Sequence, residues 1–331
     1  MRRPLAALIV VLGLVSPTPA TAQPVQDDAR LTWSVAPADA TGPNGRARFE
    51  YVVEPGMRYD DHIAVRNLGE SELNVDLYAA DAVNTSTGGF DLLARDEPSP
   101  SMGSWITITE PKVILKPRST TVVPFRLTVP QDAEPGDHAG GLVAALTTGA
   151  QVQVERRVGA RLYVRVAGPV TPNLRVDQPT AAYRGTVNPA APGEADVTWT
   201  VVNDGNVRLA FRPSVRVEGL FGLGTTQWTS DTPTELLPGG AITLNHTLTG
   251  VWPLGPLTVS GEAEPVASGP QDLAGVVATA TADTTLWAIP WSALGALLLL
   301  TAILVALWRV RRRIRRLTKA AGTAEQPATP N

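Results

Sequence analysis

Apolar and polar positions alternate along most of this chain. Between residues 31 and 283 the alternation comes in runs of about five to nine residues, broken by Gly, Pro, Asn and Asp, and a period of two predicts strands. Leu73, Val75, Leu77 and Ala79 fall on one face, while Glu72, Asn74, Asp76 and Tyr78 fall on the other, as in a sheet with one wet side. Val123, Phe125, Leu127 and Val129 oppose Pro124, Arg126 and Thr128 in the same way, as do Val197, Trp199 and Val201 against Asp196, Thr198 and Thr200. No amphipathic helical stretch of useful length interrupts this pattern. It predicts about seven short strands in each half, and hence an all-β exterior of two tandem immunoglobulin-like β-sandwiches.

An internal repeat supports two similar units. Val65-Arg66-Asn67-Leu68-Gly69, followed by Leu73 and Val75, parallels Val201-Val202-Asn203-Asp204-Gly205, followed by Leu209 and Phe211. Each reads as a strand, an Asn-x-Gly turn and a returning strand. Further on, Leu115, Pro117, Thr121, Val123, Phe125 and Leu127 match Leu236, Pro238, Ile242, Leu244, His246 and Leu248 at one offset. Asn67 lies 50 positions before Pro117, but Asn203 lies only 35 before Pro238. The first unit therefore carries about 15 extra residues, mainly within the polar, turn-rich stretch 80–104.

The two ends break the alternation. Arg2 and Arg3 precede an apolar run over residues 5–15, then Pro17, Pro19 and Ala20-Thr21-Ala22, the order of a secretory signal peptide. Residues 286–308 contain no acidic or basic residue, which is long enough for a helix to cross a bilayer. Trp287, Trp291 and Trp308 sit near the ends of that stretch, where indoles favour headgroups. Arg309, Arg311, Arg312, Arg313, Arg315, Arg316 and Lys319 follow at once and should stay in the cytoplasm. The expected organisation is a signal peptide (1–22), a first sandwich (23–170), a second sandwich with a stalk (171–285), a C-terminal transmembrane helix (286–308) and a basic cytoplasmic tail (309–331). That is a single-pass type I protein of the cell membrane, its N-terminal domains extracellular and its lipid bilayer contact made by 286–308.

Composition narrows the function. The 331 residues include no cysteine, so an exported portion is held by packing, without disulfides or thiolate metal sites. Setting aside the signal arginines and everything after residue 308, acids outnumber bases by about eleven, which argues against a nucleic acid partner. A local basic patch of Arg156, Arg157, Arg161 and Arg165 could still form. His62, His138 and His246 lack metal-ligand spacing, and His246 shares an apolar face with Ile242, Leu244 and Leu248. The chain has no Gly-x-Ser-x-Gly elbow and no phosphate-cradling glycine loop before a helix. Adjacent acids such as Asp60 and Asp61 would point to opposite faces of a strand, which is wrong for glycoside hydrolysis. Neither catalysis, a cofactor nor a metal is expected.

The segments Phe-Glu-Tyr-Val-Val-Glu-Pro-Gly at 49–56, Ile63 to Asn67, Trp105-Ile106, Leu115-Lys116-Pro117, Val129-Pro130 and Pro-Gly-Asp-His-Ala-Gly-Gly at 135–141 resemble the bacterial surface proteins that interact with WxL proteins. The similarity is spread over about residues 31–148. It implies an immunoglobulin-like peptidoglycan-binding domain, a second sandwich that engages a surface-protein partner, and a C-terminal anchor. On that footing the extra segment of the first unit is the expected peptidoglycan surface. Asp81, Asn84 and Thr87 would bond sugar hydroxyls and peptide amides, while Phe90 and Trp105 would offer flat faces to pyranose rings. For Trp105 the alternative is an indole that plugs the end of the sandwich. The alternative for the whole protein is a scaffold that pairs sandwich edges with partner strands and binds no glycan.

Overall fold

The structure, a computed structural model, describes residues 32–148, 154–267 and 277–323, with side chains only as far as Arg315 in the last segment. The expected signal peptide lies outside the described residues. The first half runs β1 (Trp33–Asp39), β2 (Gly42–Pro43), β3 (Phe49–Val53), β4 (Arg58–Asn67), β5 (Leu73–Asn84), β6 (Phe90–Leu92), the one-turn helix α1 (Met102–Trp105), β7 (Ile106–Ile108), β8 (Lys112–Leu115), β9 (Thr120–Thr128), β10 (Gly136–Thr148) and β11 (Val154–Val166). The second half runs β12 (Leu174–Val176), β13 (Thr180–Arg184), β14 (Gly193–Asn203), β15 (Leu209–Glu218), β16 (Thr226–Thr229), β17 (Thr234–Leu236), β18 (Ala241–Val251), β19 (Gly255–Val266) and β20 (Ala280–Ala288), before the helix α2 (Trp291–Thr323). The chain is thus mostly β with one long C-terminal apolar helix. Each half has more strands than the seven expected, because long strands pair with different neighbours at their two ends: β5 meets β8, β10 and β6 in turn.

In the first half the sheet β2-β1-β4-β9-β7 faces the sheet β3-β11-β10-β5-β6, to which β8 is added beside β5. Their facing side chains form one apolar cluster that includes Phe49, Ile63, Phe125, Leu127, Leu142 and Leu162. In the second half β12-β14-β13, with β18 beside β14, faces β16-β15-β19-β20, with β17 beside β15. Trp199, Phe211, Leu236 and Ile242 lie in its separate cluster. The alternation read from the sequence sets these faces. Val123, Phe125, Leu127 and Val129 are all at most 2% exposed, and Val197, Trp199 and Val201 at most 1%.

The repeated asparagines do the same work in both halves. Asn67 donates its side-chain N–H bonds to the Ser71 and Leu115 carbonyls at 2.8 and 3.1 Å, and its Oδ1 accepts from Gly69 N at 2.9 Å. Asn203 donates to Val207 and Leu236 at 2.8 and 3.1 Å and accepts from Gly205 at 3.0 Å. Both are fully buried polar residues. Each replaces a missing strand partner at the turn and ties it to β8 or β17.

The C-terminal elements differ from expectation. The pattern of strands is expected to end by residue 283 and the membrane helix to occupy 286–308; instead β20 extends through Ala288 and α2 begins at Trp291. Leu286 and Ala288 continue the period-two pattern inward at 5% and 0% exposure, while Trp287 points out at 65%. An apolar run thus contains a strand end and a helix start, divided at Pro290, where the missing N–H costs a helix nothing. No stalk intervenes, since only Ile289 and Pro290 separate the two elements. The helix also continues past Trp308, through the arginines, to Thr323.

Candidate functional site

The extra segment of the first half is an ordered structure rather than a free loop. β5 runs on to Asn84 and turns at residues 85–89, where Thr85 N donates to the Gly89 carbonyl at 2.8 Å and Gly89 N donates to Thr85 Oγ1 at 2.8 Å. Gly88 takes the positive φ of 84° that this turn requires. β6 then pairs back on β5 with Ala82 opposite Leu92. Leu92 lies against Gly141 and Gly159 on the outer face of β10 and β11, where any Cβ would collide with its methyls. The chain next crosses the sheet edge, and Met102 of α1 packs on Gly140 from the core side.

Of the five residues expected to form one surface, the structure keeps Asn84, Thr87 and Phe90 at one cleft and places Asp81 and Trp105 elsewhere. Asp81 turns its carboxylate to Gly103 N at 2.7 Å and Ser101 N at 3.0 Å, satisfying the start of α1. Trp105 ends α1 at 7% exposure, its ring 4.5 Å from the His138 imidazole, which contacts Ser101 Oγ and the Glu134 carbonyl at 2.9 Å each. It fills the end of the first core. Asn84 reaches the second half, donating to the Glu235 carbonyl at 2.9 Å and accepting from Leu237 N at 2.8 Å. Thr87 is exposed, and it borders one cleft together with Asn84 and Phe90, while Asp81 borders another.

Asn84 belongs to a polar junction between the halves. Asn206 donates to the carbonyls of Pro135 and Pro169 at 2.8 and 2.9 Å and accepts from Thr171 N at 2.7 Å. Asp137 takes both Arg165 and the backbone N–H of Arg208, the latter at 2.8 Å. The Arg208 guanidinium lies 3.9 Å over the Tyr163 ring and pairs with Glu50. Burial, together with the neighbouring Glu235 carboxylate that accepts from it at 2.8 Å, pushes the Tyr163 hydroxyl up to about 12.

Phe90 forms a wall between two clefts. One, of about 210 Å³, is lined by Phe90, Leu92, Val143, Arg157, Gly159 and Arg161, together with Asp91, whose carboxylate accepts from Leu92 N at 2.8 Å. The other, of about 300 Å³, lies between Thr87, Phe90 and Arg161 on one side and Pro233, Thr234 and Glu235 on the other. Arg161 stacks its guanidinium 4.4 Å from the Phe90 ring and borders both clefts. Arg157 donates to the Leu92 carbonyl at 3.2 Å. The pair offers planar cationic donors beside an aromatic face, a set that suits a carboxylate carried on an apolar or sugar ring. The arginines were visible only as a composition patch. Their spacing, Arg157-x-Gly159-x-Arg161-x-Tyr163-x-Arg165, places all five on one strand face, which is the signal that picks out Arg157 and Arg161. Arg156 falls on the opposite face, and Arg165 is spent on Asp137.

Among the described residues no three metal-ligating side chains come together. Asp60 pairs with Arg126, while Asp61 takes Arg46 at 2.8 Å and the Tyr51 hydroxyl at 2.5 Å. Burial raises the Asp61 carboxyl, but the hydrogen bonds from Arg46 and Tyr51 outweigh it and hold the group below the usual carboxylate range.

No family model matches the chain, and no characterised protein matches it in sequence. Among solved structures it is similar to the class 5 fimbriae chaperone CfaA, with 8% identity over 77% of this chain and 99% of that one and a TM-score of 0.37. The Pseudomonas aeruginosa CupB2 chaperone gives 12% identity over 74% of this chain and 99% of that one, with a TM-score of 0.32. The E. coli chaperone DraB gives 11% over 77% and 98%, also with a TM-score of 0.32. Likenesses this slight carry no argument about what the chain does.

Proposed function

We propose that this is a non-catalytic surface protein, anchored by α2 as a type I membrane protein, whose two tandem immunoglobulin-like sandwiches reach from the membrane to the cell wall. The first sandwich holds peptidoglycan at the clefts beside Phe90. The observation that carries this is the Phe90 ring flanked by Arg157 and Arg161 on the outer face of a braced sheet. A pyranose ring suits the aromatic face, and a stem-peptide carboxylate suits the guanidinium pair. The resemblance of residues 31–148 to the WxL-interacting surface proteins points the same way. The site moves by a few residues from the surface expected from sequence: Phe90 and Thr87 remain, Arg157 and Arg161 join, and Asp81, Asn84 and Trp105 support the segment.

The test is cosedimentation of the detergent-solubilised full chain with purified peptidoglycan. A charge-assisted bond is worth about 1.5–3 kcal/mol, so Arg157→Ala with Arg161→Ala should weaken binding at least tenfold with the melting transition little changed. Unchanged binding places the site elsewhere. Absence of binding by the parent chain favours the second reading, a scaffold that pairs with a partner strand. One observation supports that reading: β18 is an 11-residue strand that pairs, among the described residues, only with β14, and it carries no acidic, lysine or arginine side chain.

A further inference from the structure

The second half ends in a set of uncharged loops beside the start of α2. Register places them together: Gly193 pairs with Val251, Gly255 with Ala288 and Glu218 with Thr258. The loops 185–192, 219–225 and 252–254 therefore project from the same end as the exit of β20. Their apolar side chains stand in the open. Val187 is 94% exposed and Phe221 100%, with Leu220, Leu223, Trp252 and Leu254 between 44% and 62%. No acidic or basic residue occurs in 185–193, 219–230, 247–261 or 284–308. The far end of the molecule contrasts: the turns after β4 and β8 carry Glu70, Glu72, Lys116 and Arg118, with Glu70 and Arg118 paired.

The tip at 219–225 is built to hold Phe221 outward. Gly219 N donates to the Leu223 carbonyl at 2.8 Å and Gly222 N to the Gly219 carbonyl at 3.0 Å, closing the loop on itself. Phe221 takes φ 59°, a left-handed conformation unfavourable for an aromatic residue, and Gly222 and Gly224 follow at 76° and 64°. Among the described residues nothing covers the ring.

We propose that this end of the second half is seated in the bilayer, its loop tips lying at the headgroup and acyl boundary of the leaflet that α2 enters. The proposal rests on the reading of α2 as the membrane anchor. Chain continuity chooses the occupant, because only Ile289 and Pro290 separate β20 from α2. A cavity of about 540 Å³ between Val187, Pro189, Pro253, Trp287 and Trp291 brings the loop tips against the helix's first turn. Helix length adds a second constraint. The uncharged part of α2, Trp291 to Trp308, spans roughly 27 Å at about 1.5 Å per residue, slightly under the roughly 30 Å hydrocarbon core. It crosses only with Trp291 at the boundary, and that draws the neighbouring loops into the interface, where Trp and Phe are favoured. The protein would thus be gripped by its rim as well as its helix, which fixes the tilt at which the first half projects.

The chain lacks cysteine, so nitroxide labels can be placed singly in the full-length protein in phosphatidylcholine vesicles. Labels at Val187→Cys and Phe221→Cys should be severalfold more accessible to oxygen than to a water-soluble nickel chelate, as at Leu299→Cys within the helix. The far-end label Leu68→Cys should show the reverse. Loop labels open to the chelate while the Leu299 label is in lipid would overturn the seating and leave the anchor intact. Loop labels shielded from both reagents would also overturn it and assign the rim to a second protein chain. A Leu299 label open to the chelate would remove the anchor, and the seating with it.

Discussion

Replacing Asn203 tests whether the two halves are built on one plan. Its side chain is fully buried and makes three bonds, to the carbonyls of Val207 and Leu236 and from Gly205 N. Asn203→Ala removes all three and leaves two acceptors and a donor without their partner. At about 1 kcal/mol net per bond, with a further penalty for whichever groups stay dry, the loss should be about 3–5 kcal/mol. For a unit of this size that lowers the melting temperature of the second half by roughly 10 °C or more. Asn203→Asp is the sharper variant. It keeps the acceptor for Gly205 but turns the donor into an oxygen facing two carbonyls, so at neutral pH it should be no better than alanine. It should partly recover in acid, where a protonated carboxyl can donate once. Asn67→Ala should do the same to the first half. Urea titration followed by fluorescence and by proteolysis of each half would measure this. A loss below about 1 kcal/mol, or an aspartate tolerated as well as asparagine at neutral pH, would refute the bonding scheme and the equivalence of the turns.

Trp199 is 1% exposed, lies against Gly261 and meets Trp228 edge-on at 6.5 Å, so Trp199→Ala should cost about 3–5 kcal/mol by denaturant titration. Its Nε1 finds no acceptor among the described residues, so Trp199→Phe should cost less than other losses of a buried indole. His246 stacks on Trp228 at 4.0 Å, and burial holds its imidazole below the usual histidine value. A depressed histidine favours the folded state above its unfolded pKa of about 6.5, and this contribution is lost as pH falls through the folded value. Melting temperature should therefore decline between pH 7.5 and 5, and His246→Gln should flatten that decline; an equal slope in both proteins would contradict it.

The faces of the strands were legible because burial on one side writes a period of two into the residues. The repeat was legible for a related reason, since Asn67 and Asn203 each sit where a turn leaves backbone groups dry, and few side chains can both donate twice and accept once. The boundary at Pro290 was not, because Leu286, Trp287 and Ala288 are as apolar in an inward-facing strand end as in a membrane helix, and composition does not tell the two apart. The candidate surface was half legible. Composition marked 80–104 as extra, but Asn84 and Trp105 were read as ligand groups although they are used within the fold, and only tertiary pairing reveals this: the partner of Asn84 lies 151 positions away. Arg161 joins the candidate surface only through tertiary pairing, because β6 lays Phe90 beside it.

The central claim is that the first half meets the wall through the Phe90 face while the helix stays in the membrane. A photoreactive benzoyl-phenylalanine placed at Phe90 of the full-length protein, irradiated in intact cells, reads this contact directly. The account predicts that the purified adduct carries muramyl-peptide fragments after wall digestion, and that the same probe at Leu68 does not. Adducts to protein alone at Phe90, with no glycan mass, would contradict it.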